Sequence, residues 1–443
     1  MKTPIVSLIG ALVLFAPAAW AGDIVIHAGK LFDGVARTER DQVSIVIHDD
    51  RVTAVTDGFV SPPGAQVVDL SKSVVLPGLI DCHVHITSQS DGGNPVAEAV
   101  TRTEFDQAFR SVGYAESTLL AGFTSARDVG ADPDVVIALK KAINAGEVVG
   151  PRLWVAGPPL GPTGGHSDPG NGLDPEITWP NMDEWLVDSP EQGRAVVRKL
   201  HRMGVDLIKI MPSGGVLSIG DNPNGQLMAD DEIKAIIDTA HSLGLKVAAH
   251  AHGKQAIDHA VALGVDSIEH GSFADAESYA AMKAHGTWLV PTLLVAQTAI
   301  EMAMAHPEQL RPSSAAKALA VGPRVQQNLA NAYHAGVKIA FGTDQGLAPH
   351  GTNAREFALM VKAGMTPRDA ITAATASAAD LIGDTQDIGT IQPGRYADII
   401  AVDADPLGDI TELERVKFVM KGGVVFKADG RPTGAKGVAV VLK

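Results

Sequence analysis

Between Asp23 and about Val75, apolar and polar residues alternate in short runs, IVIHAGKLFDG, SIVIHDDRVTAVTDG and QVVDL, separated by turn residues. A period of two marks half-buried β-strands, and no helical spacing intrudes. The same texture returns after Pro393 in ADIIAVDADP, VKFVMKGGVVFKADG and GVAVVLK. Two β-rich ends around a long middle predict a small discontinuous β-sandwich domain, built from residues 22–77 and 393–443.

The middle, residues 78–392, alternates apolar runs with stretches of helical period. Strands are predicted to begin at Val74, Phe123, Pro151, Val205, Lys246, Asp266, Thr287 and Val337. Helices are predicted from Glu104 to Ala121, Pro133 to Ala145, Pro190 to Met203, Asp230 to Leu243, Ala256 to Leu263 and Ala276 to His285. One long helical region then runs from Val295 to Ala335, and more helices fill 353–382. Eight β/α units in succession predict an α/β fold, a closed (β/α)8 TIM barrel, whose chemistry collects at the C-terminal ends of the strands.

Polar, ligand-type residues do stand at those ends. The run VVLPGLIDCHVHI closes on His83 and His85, which share one face of a strand, while Cys82 points the other way, toward a helix. Lys209 lies in the inward phase of the fourth strand, where an unpaired ammonium is costly. The fifth strand carries His250 and His252, the sixth ends in Glu269-His270 and the eighth in Thr343-Asp344. Imidazoles, a buried lysine and a carboxylate at these positions predict a metal centre. His252, farther along than His250, is placed with the catalytic, substrate-facing residues. His166, in the glycine-flanked TGGHSD loop, is the candidate donor to an oxyanion. Ser88 and Ser213 are candidate substrate-binding wall, and His350 a further lining residue. Arg127 and Arg355 are the arginines weighed for a substrate carboxylate. The histidines at 201, 241, 259, 285, 306 and 334 fall in helical stretches and read as surface or packing residues.

Composition narrows the partners. The formal charge of −15 argues against nucleic acid or an anionic membrane. Lys2, the apolar stretch Ile5 to Phe15 and Ala19-Trp20-Ala21 read as a signal peptide over 1–21, which predicts a secreted or periplasmic location. Cys82 is the only cysteine, so no intramolecular disulfide exists. GxSxG, HExxH and glycine-rich phosphate loops are absent from the sequence.

The set of HxH, strand-four lysine, later histidines and terminal aspartate resembles the amidohydrolase superfamily. GLIDCHVHI, GFTSARDVG, TGGHSD, the HAHG and SIEHG pair and GTD resemble its Xaa-Pro dipeptidase or prolidase-like members, a group that includes ochratoxin A-hydrolysing amidohydrolases. The resemblance implies two divalent ions, most often zinc. His83, His85 and Asp344 would hold one and His250 and His270 the other, with Lys209 bridging both as a carbon dioxide-derived carbamate. It implies hydrolysis of an amide next to a free carboxylate, as in a dipeptide, an N-acyl amino acid or an ochratoxin A-like amide. Asp344 would relay the proton. It also implies a homo-oligomer, an octamer included. Mononuclear deaminases lack the lysine and keep a glutamate where this chain has Ala251, His252 and Gly253. Cyclic-amide hydrolases of the imidazolonepropionase or dihydropyrimidinase type are the alternative, and phosphotriester hydrolysis a more distant one.

Overall fold

The computed structural model describes residues 23–90, 92, 101–178 and 181–436. The leader expected over 1–21 and the strand expected in 437–443 lie outside the described residues. The N-terminal part forms β1 (Ile24–Leu31), β2 (Arg40–His48), β3 (Arg51–Asp57) and β4 (Gln66–Pro77). Seven strands follow: β5 (Leu79–Val84), β6 (Phe123–Asp128), β7 (Arg152–Val155), β8 (Leu207–Ile210), β9 (Lys246–Ala251), β10 (Ser267–His270) and β11 (Trp288–Val290). Between and after them lie α1 (Glu104–Leu120), α2 (Pro133–Asn144), α3 (Pro190–Met203), α4 (Asp230–Ser242), α5 (Lys254–Ala262), α6 (Ala276–His285), α7 (Leu293–Ala305), α8 (Pro312–Ala335), α9 (Arg355–Lys362), α10 (Pro367–Ala373) and α11 (Ala376–Ile382). The chain returns as β12 (Ile399–Val402), β13 (Phe418–Lys421), β14 (Val424–Ala428) and β15 (Arg431–Pro432).

The helices begin where side chains can satisfy their first amides. Thr103 and Asp106 form a capping box at α1, Asp132 and Ser189 cap α2 and α3 ahead of a proline, and Asp275 caps α6. Gly204, Gly286 and Gly336 end α3, α6 and α8 in the left-handed conformation. The long helical region expected from Val295 to Ala335 is divided between α7 and α8 around Pro307 and Pro312. No helix among the described residues is long and apolar enough to cross a membrane.

The terminal strands, contributed by both flanks of the chain, form one eight-stranded sheet in the order β15-β14-β13-β12-β4-β1-β2-β3. Its N- and C-terminal halves join where β4 runs antiparallel to β12, with Val75 opposite Ala401. Val74 to Pro77 thus belongs to this sheet, and the first strand of the middle region starts at Leu79, beyond the expected Val74. Gly78 makes the transfer between sheets possible: a Cβ there would lie 2.1 Å from Thr124 Oγ1.

The middle has a TIM-barrel-type α/β fold, but its regular strands fall in two parallel sheets, β5-β6-β7 and β8-β9-β10-β11. The eighth strand expected at Val337 is not a regular strand. Isolated pairs, Leu289 with Ile339 and Val84 with Gln345, connect this segment to β11 and β5, and Leu160 with Ile210 connects the chain after β7 to β8. One cause of the irregularity is local. The amide of Thr343 donates to the Asp81 carboxylate (3.1 Å) instead of a strand carbonyl, and Asp344 has φ of 56°. Around the parallel strands, Ile208, Val247, Ile268, Ile233 and Ile257 are fully buried in the largest apolar cluster.

Candidate metal centre

Alternation along the strands brings the predicted ligands together. His83 and His85 leave β5 on one face, and Asp344 reaches them from the irregular eighth segment. Its Oδ1 is 3.5 Å from His83 Nε2 and 3.0 Å from His85 Nε2. His250, His252 and His270 form a second group at the ends of β9 and β10. The ligand atoms within each group lie within 4.8 Å of one another. The His83 and His270 rings, 5.2 Å apart, join the two groups. Lys209, 1% exposed on β8, lines the same pocket.

Hydrogen bonds behind the rings fix which nitrogen faces inward. His83 Nδ1 donates to Glu269 (2.8 Å) and His85 Nδ1 to the Gly130 carbonyl (2.7 Å), leaving both Nε2 atoms toward Asp344. His270 Nδ1 meets Thr292 Oγ1 and His252 Nδ1 meets Ser272 Oγ, each at 2.6 Å. Such outer partners orient metal-binding imidazoles. His270, Thr292 and Asp344 all carry positive φ, at 69°, 53° and 56°. Strained backbone at three adjoining chain ends is characteristic of functional sites.

Burial sets the charges. It pushes His83 down to about 4 and His252 to about 3, and holds His250 and His270 well below the ordinary imidazole range, with the neighbouring imidazoles adding to the effect. Neutral imidazoles are the form a metal needs. Burial opposes ionisation of Asp344, but the His83 and His85 rings outweigh it and hold its carboxyl well below the usual value. Burial lowers Lys209 to about 8, against the pull of Glu269 and Asp344. Those carboxylates, the salt-bridge partners the sequence offers Lys209, are engaged by Arg127 and His83 and by His85. Five imidazoles, a carboxylate and a lysine make a donor set suited to a borderline divalent ion such as zinc.

His166 and Ser88 line the pocket, while other residues of the sequence reading take different places. His252, expected to face the substrate, lines the pocket and also stands within ligand distance of His250 and His270, because the His-x-His spacing after β9 puts both rings on one face. Ser213 is fully buried and accepts from the His252 amide (3.0 Å), so it supports the site without lining it. His350 stacks on Tyr114 and its Nε2 meets the Ser88 carbonyl at 2.8 Å, bracing that loop. Arg127 is buried and donates to Glu269 (2.8 Å), and Arg355 is exposed at the start of α9. Neither lines the pocket. Cys82 packs against α11, 3.9 Å from the Ala378 carbonyl.

Supporting residues missing from the sequence reading are Asp81, Thr292, Ser272, Ser218, Asp221 and Lys317. Asp81 ties strand one to segment eight: its carboxylate accepts from the His83 and Thr343 amides and from Thr343 Oγ1 (2.6 Å) and Asn353 Nδ2 (2.8 Å). The only sequence signal was an acidic residue in a strand otherwise buried on both faces.

The inner pocket, about 370 Å³, has an aliphatic wall: Val216 and Leu217 after β8, Val295 and Ala299 on α7, Ala318 and Val321 on α8, and Leu347. Through Ser88, His166 and Leu217 it adjoins an outer chamber of about 550 Å³ whose lining includes Arg102, Arg110 and Arg311.

Comparison with known proteins identifies the family. The ochratoxinase of Aspergillus niger is 33% identical over 428 residues, covering 92% of this chain and 87% of its own. A crystal structure of a Xaa-Pro dipeptidase with bound methionine in the active site superposes with a TM-score of 0.87 at 37% identity, over 92% of this chain and all of that one. A prolidase complexed with N-methylphosphonate-L-proline gives a TM-score of 0.84 at 33% identity, again over 92% of this chain and all of that one. Residues 74–426 match the Amidohydrolase family. The chain belongs to the amidohydrolase family and is a metal-dependent hydrolase of amide bonds.

Proposed function

We propose that this enzyme cleaves an amide bond next to a free carboxylate, in a dipeptide, an N-acyl amino acid or an ochratoxin A-like amide, using two divalent ions. The observation that carries this reading is the convergence of His83, His85 and Asp344 with His250, His270 and Lys209 on one pocket. These residues would hold the ions, zinc by preference, which when bound would supply a water acidic enough to attack at neutral pH and a polarised carbonyl. Lys209 would bridge them as a carbamate. Burial leaves its amine partly neutral near pH 8, the form that adds carbon dioxide. His252, within the second ligand group, is either a further ligand or a substrate contact. Asp344 takes the proton of the attacking water and delivers it to the departing nitrogen.

Two features support the substrate class. Arginines in the outer chamber suit a carboxylate, and the aliphatic wall suits an uncharged apolar group. A panel of Xaa-Pro, Xaa-Lys and Xaa-Phe dipeptides and N-acyl amino acids, run beside hydantoins and lactones, tests the reading. Linear amides are expected to turn over, and turnover of ring-closed substrates alone would transfer the assignment to the cyclic-amide hydrolases. Ala318→Phe fills the inner pocket. It is expected to lower kcat/KM for a bulky aromatic amide relative to a small one by at least about tenfold, as a misfit of a methylene or more does in apolar sites. An unchanged ratio would place the substrate elsewhere. Export after removal of residues 1–21 and assembly into a homo-oligomer, an octamer included, complete the proposal; secretion assays and light scattering test them.

A further inference from the structure

Behind His166 runs a chain of polar side chains that neither the ligand clusters nor the hydrolytic reading uses. Asp221, whose side chain is closed off from solvent, accepts from the Gly215 amide on Oδ2 (2.8 Å) and from Lys317 Nζ on Oδ1 (2.9 Å). Lys317, on α8, also donates to the carbonyls of Gly215 (2.6 Å) and Ser218 (2.7 Å), so one ammonium gathers the loop after β8. Ser218 Oγ lies 2.6 and 2.7 Å from the two carboxylate oxygens and 2.7 Å from His166 Nδ1.

We infer that Lys317, Asp221 and Ser218 are positioning residues that lock His166 as its Nδ1–H tautomer and so present Nε2 to the reaction pocket as an acceptor. The argument is a proton count. Ser218 has one hydroxyl proton. If it went to His166, the lone pairs of Oγ would face a buried carboxylate at 2.6 Å. If it goes to Asp221, Oγ accepts from His166, whose proton then sits on Nδ1. Asp221 remains ionised: burial raises its carboxyl, but hydrogen bonds from Ser218 and Lys317 bring it below the usual value.

The ring is also held in place. A Cβ at Gly215 would lie 2.1 Å from it, so only glycine lets the backbone pass there, and His250 lies 4.4 Å away between ring centroids. A neutral His166 of this tautomer offers a lone pair, which suits the N–H of a scissile amide rather than an oxyanion. The kinetic consequence rests on the proposed hydrolase reading, whereas the tautomer does not.

Nitrogen-15 NMR of histidine-labelled protein, metal-free and metal-loaded, tests the inference, with the His166 signals identified by their loss in His166→Gln. The wild type is expected to show Nδ1 protonated and Nε2 bare. In Asp221→Asn the carboxamide can donate to Ser218, whose proton then turns to His166 and reverses the tautomer. There kcat is expected to fall roughly ten- to a hundredfold, as for other outer partners of catalytic groups, with KM within about twofold. Ser218→Ala is expected to lose the tautomer preference and Ser218→Thr to restore both tautomer and kcat, which keeps the test open should Asp221→Asn fail to fold. A wild-type ring protonated on Nε2, or a Ser218→Ala enzyme with unchanged tautomer and kcat, overturns the inference. An Nδ1–H ring in a protein that hydrolyses no amide would instead remove the hydrolase reading and leave the tautomer assignment standing.

Discussion

Lys209→Ala is expected to lower kcat/KM by more than about a hundredfold and to reduce the bound divalent metal below two ions per chain, measured by elemental analysis after reconstitution. Loss of an outer partner of a metal ligand costs about ten- to a hundredfold in affinity or activity, and removal of the bridging ligand proposed above should exceed that. The lysine has little structural reason to be where it is. It is almost fully buried, and its nearby carboxylates are held by Arg127, His83 and His85. Exchanging a buried ammonium for a methyl group removes a desolvation cost, so Lys209→Ala should fold at least as well as the parent. Stability kept and metal lost is the signature of a ligand. Two ions still bound, with activity intact, would show that Lys209 does not bridge them.

The residues legible in the sequence are those for which strand periodicity does the positioning. His83 with His85 and His250 with His252 must share faces once the strands exist, and Lys209 announces itself as a charge in an apolar strand. What escaped are pairings between distant parts of the chain: Asp81 with Thr343, 262 positions apart, Arg127 with Glu269, 142 apart, and Lys317 with Asp221, 96 apart. Local pattern carries no information about which carboxylate meets which donor across a fold. The eighth strand was misread because its apolar run is genuine, while Asp81, a residue of another strand, takes one of its amides.

Arg127→Ala is expected to destabilise the protein by about 3–5 kcal/mol, the typical effect of leaving one partner of a buried ion pair alone. Arg127 donates to Glu269 (2.8 Å), to the Cys82 carbonyl (2.5 Å) and to Ser267 Oγ (3.2 Å), thereby connecting β6, β5 and β10. Burial alone would raise the Glu269 carboxyl, but the guanidinium and His83 hold it well below the usual range, so it stays ionised and accepts the His83 Nδ1 proton. Arg127→Lys keeps the charge but has no planar fork to reach all three acceptors and should recover only part of the loss. The double variant Arg127→Met with Glu269→Gln separates two roles. Removing both charges should restore much of the stability to urea. His83 would then lack its charged acceptor, and zinc affinity should stay about ten- to a hundredfold weaker than in the parent. If instead Arg127→Ala unfolds within about 0.5 kcal/mol of the wild type, Glu269 is not a buried charge, and the orientation of His83 must come from another source.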